Sequence, residues 1–367
     1  MKYTRFHTTR LRAAAWLTVL AMVAALIPMG LWLIKATDFA GYDSAYGIEE
    51  GQDGSLADPY FISTAEELQN IGRAGGPAGN ATDLTKHYAL KADIDLFDLG
   101  AYYAFTPIAP GGDTADCFSG SLDGDNGAGG CYKISNLLIP MGSGSNNYGL
   151  FGNIGGDAVI SNLEIETALN SSGYGVFSND SGKAGVLAGY TNGANDGGSI
   201  ANVTTRGVVH SGFAAGASGA RAGGLVGASD GMTITDCVNY ADIWVGYVDS
   251  RGGGIAGDAG SSDISGCTNY GSVFGGTIAG GIAGSATAEI RYENLTNYGH
   301  VRSGNQPNPV AGGIAGAGDG AEFYRCFNYG ELTTGSSGVS GTFGAANGMG
   351  GITNYRFIRE FDDPKHA

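Results

Sequence analysis

The dipeptide Asn-Tyr recurs at Asn239-Tyr240, Asn269-Tyr270, Asn297-Tyr298, Asn328-Tyr329 and Asn354-Tyr355, at spacings of 30, 28, 31 and 26 residues. A phrase returning at that period marks a repeat architecture, one small supersecondary unit per repeat. Just before it stand Ile234-Thr-Asp-Cys237, Ile264-Ser-Gly-Cys267, Tyr292-Glu-Asn-Leu295 and Phe323-Tyr-Arg-Cys326. Upstream the same slot runs from Ile134 to Leu137, Ile160 to Leu163 and Ile200 to Val203. A second phrase keeps step with the first: Gly149-Leu-Phe-Gly152, Gly224-Leu-Val-Gly227, Gly254-Ile-Ala-Gly257, Gly281-Ile-Ala-Gly284 and Gly313-Ile-Ala-Gly316. Two phrases in phase make a structural unit.

Each unit divides into three short extended pieces, for example Ser272 to Gly275, Gly280 to Ser285 and Glu289 to Asn297. They are too short and glycine-rich for helices, and turn residues separate them. A unit this small cannot bury its own apolar side chains, so successive units must stack. The expectation is an all-β fold: a right-handed parallel β-helix (β-solenoid) with three sheets and coils about 4.8 Å apart. Composition agrees. The 67 glycines have no three-residue period, which excludes collagen, and 43% apolar residues with 19 tyrosines argue against disorder.

In such a fold Cys237, Cys267, Leu295 and Cys326 form an inward apolar column, the cysteines serving as small fillers. Cys237 and Cys267, one coil apart, are also within geometric reach of a bridge. Asn239, Asn269, Asn297, Asn328 and Asn354 stack as an amide ladder, and Tyr240, Tyr270, Tyr298, Tyr329 and Tyr355 as an aromatic one. Gly271, Gly299 and Gly330, which follow, suit a left-handed corner. Ala241 departs from that pattern.

The first 36 residues differ in kind. Lys2, Arg5, Arg10 and Arg12 precede an uncharged apolar run from Ala13 to Ile34, closed by Lys35. This reads as a signal peptide or, uncleaved, as a transmembrane signal anchor, with the cationic end inside and the body exported. Residues 1–36 hold five Lys or Arg and no acid, so the remainder carries 14 basic against 35 acidic residues, a net −21. Such a field repels phosphate backbones, and no nucleic acid partner is expected. A linker is expected at 37–57, a cap and first coils at 58–205, regular coils at 206–355 and a tail at 356–367. Within the cap, Thr64 with Glu67 forms a capping-box signature before Leu68 and Ile71, so a short helix there covers the open end of the solenoid. From His87 to Leu96 apolar and polar residues alternate, placing Tyr88, Leu90, Ile94 and Leu96 on one side.

The segments "DPYFISTAEELQNI", "HYALKADIDL", "FSGSLDG", "YKISNLLI" and "YGLFGNI", in this order, resemble the GLUG-motif family of exported bacterial surface proteins. The family phrase, Gly-Leu-hydrophobic-Gly, is matched at Gly149 to Gly152 and Gly224 to Gly227, with Ile for Leu in the three later copies. The resemblance covers roughly residues 47–355. It implies a parallel β-helix displayed outside the cell, often beside adhesion or peptidase modules, and supplies no catalytic residues. Some immunoglobulin-A-cleaving zinc metallopeptidases are similar in their non-catalytic part. Their His-Glu-x-x-His is not matched here, because His7, His87, His210, His300 and His366 are isolated.

Candidate chemistry is sparse. Cys117 and Cys131 flank the Ser-Gly-Ser-Leu-Asp-Gly turn and are a candidate disulfide in an exported chain. Asp93 and Asp95 share a strand face, as a glycosidase pair or a calcium site would, and Asp123 to Gly127 resembles a calcium loop without its distal Glu. Outward residues of the coils include Tyr247, Asp249, Arg251, Arg291, Glu293, Arg302 and Arg325. Arg221 and Arg251 occupy one slot in successive coils, but no convergent Asp/Lys/Arg cluster is evident. No cofactor and no metal are expected. The function that follows is a non-enzymatic surface or secreted stalk or adhesion element, its partners a host or environmental glycan or matrix protein, and the membrane if the N-terminal helix is retained. The alternatives are a β-helix polysaccharide lyase or hydrolase and a non-catalytic companion of a surface metallopeptidase.

Overall fold

The computed structural model describes residues 52–73, 84–100, 104–111, 117–140, 147–168, 175–178, 181–192, 197–214, 217–246, 248–287, 290–304, 309–318 and 320–334, with the short strands Tyr42–Asp43, Ile48–Glu49 and Arg356–Phe357. The apolar segment 1–36, Tyr247, Asn354 and Tyr355 lie outside these residues. Among the described residues no helix is long and apolar enough to cross a membrane.

One coil shows the plan. Thr233–Thr235 and Val238–Asn239 lie in sheet 1, Asp242–Val245 in sheet 2, Arg251–Gly253 in sheet 3 and Ala256–Asp258 in sheet 4 before the chain re-enters sheet 1 at Asp263–Ser265. Pairing is parallel and in register from coil to coil: Ile234 opposite Ile264, Asn239 opposite Asn269, Ile243 opposite Val273, Gly253 opposite Gly280 and Ala256 opposite Ala283. The core is one column of buried side chains running through all coils. The coils carry four sheets, not the expected three. The middle piece breaks at the Gly-Ile turn between Ile278–Gly280 and Ala283–Ser285, so that it belongs to two sheets.

Ile234 and Cys237 are three residues apart, yet both are fully buried. Regular strand alternation would put them on opposite faces. The residue between the two strands of sheet 1 resolves this by taking a left-handed conformation, which re-phases the alternation. Asn162 (φ 56°), Asn202 (53°), Asp236 (54°), Gly266 (65°), Asn294 (55°) and Arg325 (51°) form one column of such residues. Asn136 (62°) shares the conformation but not the column, because Ile134 and Leu137 stand opposite Ile165 and Thr167, and Leu122, not Ile134, is the residue opposite Ile160. Asn, Asp and Gly are the types that tolerate this region. Arg325 is the exception, with its guanidinium 5.0 Å from the Tyr324 ring centroid.

Immediately after the kink come the ladder residues. Asn239, Asn269 and Asn297 are fully buried. Each amide donates to the next: Asn239 to Asn269 at 2.8 Å, Asn269 to Asn297 at 2.8 Å and Asn297 to Asn328 at 2.6 Å. The second amide hydrogen goes to the carbonyl two residues on, Ala241, Gly271, Gly299 or Gly330, at 2.8–2.9 Å. Thr205 takes the Asn position one coil earlier, and its hydroxyl donates to Asn239 Oδ1 at 2.8 Å. The buried amides are therefore satisfied, as burial requires.

Across the narrow coil Asn239, Asn269 and Asn297 abut Gly224, Gly254 and Gly281, the first Gly of the second repeated phrase. A Cβ on Gly254 would lie 2.3 Å from Asn269 Cγ and 2.1 Å from Gly281 O; on Gly281, 2.4 Å from Asn297 Cγ. This contact is why the two phrases keep step. Gly271, Gly299 and Gly330 do not adopt the expected left-handed corner, since none has positive φ. They are glycines because a Cβ would meet the corner carbonyl of the preceding coil at 1.9 Å. Ala241, at the start of the series, supplies the carbonyl that Gly271 meets.

At the N-terminal end Thr64 caps the helix Ala65–Gln69, with Glu67 bonding back to the Ser63 and Thr64 amides. Leu68 and Ile71 are buried, while Gln69 and Arg73 hold the carbonyls of Thr106 and Pro107. The expected strand from His87 to Leu96 is bent: His87–Leu90 pairs with Tyr60–Ile62, and Ile94–Asp95 pairs with the later strand Tyr132–Leu137.

Two outcomes are expected in urea or thermal unfolding. Asn297→Ala removes one rung and costs about 1–3 kcal/mol. Gly254→Ala, which adds only a methyl group, costs more, because the atoms it meets include backbone. A Gly254→Ala variant as stable as wild type would show that the coil is wider than this packing.

Candidate functional site

With the ladder amides satisfied inside the coils, the chemistry open to other molecules lies on the outer faces. Tyr240, Tyr270, Tyr298 and Tyr329 stand outward, 42–66% exposed. Their rings stack at 4.9, 4.9 and 5.0 Å with tilts of 6°, 5° and 13°. Arg206, in the Tyr position of the preceding coil, lies 4.2 Å over the Tyr240 ring and also bonds Glu164 at 3.0 Å.

A second outward column runs along sheet 2, at the fourth residue after each Tyr. It reads Phe177, His210, Trp244, Phe274, Arg302 and Thr333 in register. Trp244 stacks on Phe274 with centroids 4.0 Å apart, and on His210 at 5.9 Å; Phe213 flanks His210 at 5.3 Å. Burial lowers the His210 pKa to about 4, so the imidazole in this stack is neutral. Beside the column a groove of about 270 Å³ opens, walled by Phe213, Trp244, Phe274 and Arg302 and floored by glycine backbone at Gly246, Gly276 and Gly304.

A third grouping lies on sheets 3 and 4, at the strand ends away from the turn that joins them. Lys183, Arg221 and Arg251 are in register on sheet 3. Asp258 on sheet 4 meets Arg221 at 3.2 Å and Arg251 at 2.5 Å, and accepts from Ser285 at 2.7 Å. Burial opposes ionisation of Asp258, but the Ser285 hydroxyl and both guanidiniums outweigh it and hold the carboxyl below its usual range. Lys183 lies 3.6 Å over the Tyr190 ring; burial and the Arg221 charge depress its pKa. Contrary to expectation, Asp, Lys and Arg side chains of three coils do converge here. Lys183 stands two residues before Gly185, the slot that Arg221 and Arg251 fill, which was the available signal.

The remaining expected residues fall as follows. Cys237, Cys267, Leu295 and Cys326 all point inward. The Cys237 contact and burial hold the Cys267 thiol well above its usual range, and burial takes Cys326 to about 12. Both are inert fillers in this state. No disulfide joins Cys237 to Cys267 or Cys117 to Cys131. Cys117 lies beside Gly155 of sheet 4, whereas the Cys131 sulfur accepts from Asn202 at 3.6 Å near the sheet 1 kink. Asp93 accepts from the Lys133 amide at 2.9 Å; Asp95 caps the turn Leu96–Leu99 and accepts from Asn136 at 2.7 Å. Both border a pocket of about 350 Å³ with Glu66 and Asp98. Asp123 accepts from Ser161 and Asn162, and Asp125 from the Gly127 amide. Among the described residues no group of three or more His, Cys, Asp or Glu is arranged to hold a metal ion.

No family model matches the chain. Over 111 residues it is 36% identical to halomucin of Haloquadratum walsbyi, a match covering 29% of this chain and 1% of halomucin. The solved structure of a "putative immunoglobulin A1 protease" from Bacteroides ovatus is similar at a TM-score of 0.58 and 21% identity, covering 85% of this chain and 87% of that one. At that identity the likeness bears on the fold.

The His210 position makes a pH prediction. Its folded pKa, about 4, lies below the ordinary 6.5, so the stabilisation it contributes is complete above 6.5 and is lost as pH falls toward 4. His210→Phe, which keeps the ring stack, should flatten the fall in melting temperature between pH 7 and pH 4.5. Parallel profiles for the two proteins would show that His210 titrates normally.

Proposed function

We propose that this chain is an exported solenoid module, displayed at or released from the cell surface, that binds without catalysing. The observation that carries this reading is the pair of outward columns, Tyr240 to Tyr329 and His210 to Arg302, held at coil pitch on a scaffold whose ladder amides are satisfied internally. Tyr, Trp and Arg on a rigid surface are the residue types that dominate contact energies. Columns repeated along one axis favour an extended or repetitive partner, since several weak contacts gain by avidity. Export rests on the basic and apolar residues 1–36 and is consistent with the short match to halomucin. The GLUG-family resemblance and a right-handed coil, the hand of parallel crossovers in general, belong to the same reading.

One observation favours an enzyme instead: the Lys183, Arg221, Arg251 and Asp258 grouping spans three coils. Against it, the Asp258 carboxylate is already engaged by both arginines and the Ser285 hydroxyl, which suits a structural ion network better than a general base.

Two measurements test the module. Protease added to intact cells should remove a C-terminal tag; a tag protected until lysis contradicts export. On glycan and matrix-protein arrays the protein should bind saturably, and incubation with polysaccharides should release neither reducing ends nor unsaturated uronides. Turnover that disappears in Lys183→Ala or Asp258→Asn would replace this reading by the enzymatic one, and a blank array would leave no binding role.

A further inference from the structure

The groove beside Trp244 has a definite chemical character. Because Trp244 and Phe274 stack along the solenoid axis at 4.0 Å, their faces are turned to each other and their edges outward. Aromatic edges carry the positive end of the ring quadrupole. Among the described residues the Trp244 indole N–H makes no hydrogen bond, and the exposed Arg302 guanidinium makes neither hydrogen bond nor ion pair. Arg206, Arg221, Arg251 and Arg291 by contrast each meet a carboxylate. Trp244, Phe274 and Arg302 therefore present donors and positive edges, and no carboxylate is among the residues that line the groove.

The backbone leaves room beside that wall. The connection from sheet 2 to sheet 3 has two residues after Gly275, but five after Val245 and six after Ser303. The short connection falls between the longer ones, where Gly276 forms part of the floor. About 270 Å³ is small against ordinary ligand pockets, room for a ring or two, and the groove runs along the axis across three coils.

We propose that this groove binds an anionic saccharide chain lying along the solenoid axis, with a sugar carboxylate on Arg302 and a ring oxygen or hydroxyl on the Trp244 indole N–H. Arg is suited to a carboxylate because its planar fork donates two parallel hydrogen bonds. One ring of an extended pyranose chain advances by close to the coil pitch, so successive sugars meet successive coils. An extended peptide rises by about 3.3 Å per residue and falls out of step with coils about 4.8 Å apart. The proposal rests on the binding reading above and names its ligand class.

Isothermal titration calorimetry on the full chain tests it, with oligogalacturonate, oligoglucuronate and oligosialate as probes, their methyl esters as uncharged controls, and polyglutamate as the peptide control. At least one acidic oligosaccharide should bind saturably, its ester more weakly. Arg302→Gln should weaken binding roughly ten- to hundredfold, Trp244→Phe should weaken it less, and both should melt like wild type. Polyglutamate binding as tightly as the best saccharide would make the occupant an acidic peptide and overturn the proposal. So would the failure of every acidic oligosaccharide, or binding that Arg302→Gln leaves unchanged. Array binding insensitive to Arg302→Gln would remove the groove but keep the module; a blank array removes both.

Discussion

The contact between a ladder amide and the Cα of a glycine across the coil sets the cross-section of this molecule. Gly254 faces Asn269 and Gly281 faces Asn297 at separations that leave no room for a methyl group. The amides in turn bond along the axis, and that bonding requires every coil to arrive at the same height. Repeat lengths of 30, 28 and 31 residues are compatible with one register because the difference is absorbed in the connections. The passage from sheet 2 to sheet 3 alone varies from two residues after Gly275 to nine after Ser211. The interior is constant and the periphery is free to change.

That division explains which parts of the architecture were legible in the sequence. The Asn and Tyr columns announce themselves because the same residue must recur at the same height. The inward slot is nearly as clear, since Cys, Leu and Val are interchangeable there. The fourth sheet was hidden because its boundary is a turn inside Gly-Ile-Ala-Gly, which reads as one extended piece. The kink column was in plain view as Asn162, Asn202, Asp236 and Asn294, but its meaning depends on two apolar neighbours three residues apart both facing inward. Asn136, in a look-alike phrase, lies outside it because its strand pairs five residues further along.

The outer faces were harder to read for a physical reason. Trp244, Phe274 and Arg302 share one position in the coil, yet no interior contact requires them to be alike. Their relation emerges only when the chain is counted forward four residues from each Tyr. Asp258 meets Arg221 and Arg251 because the glycine turn folds sheet 4 beside sheet 3, a proximity that spacing along the chain does not reveal. Cys117 and Cys131, fourteen residues apart, show the converse: nearness in sequence is undone when the intervening strand Ser121–Asp123 carries them to different sheets.

The ladder amides hold the coils in register as donors, and Asn269→Asp examines that most directly because the side chain keeps its shape and loses only its NH2 group. A carboxylate there would face two acceptors, Gly271 O and Asn297 Oδ1, in a fully buried site. Equilibrium unfolding should show a loss of several kcal/mol at neutral pH, partly recovered in acid as the carboxyl gains a proton to donate. An Asn269→Asp protein that unfolds at the wild-type midpoint at pH 7 would contradict the ladder as the element that holds the coils in register.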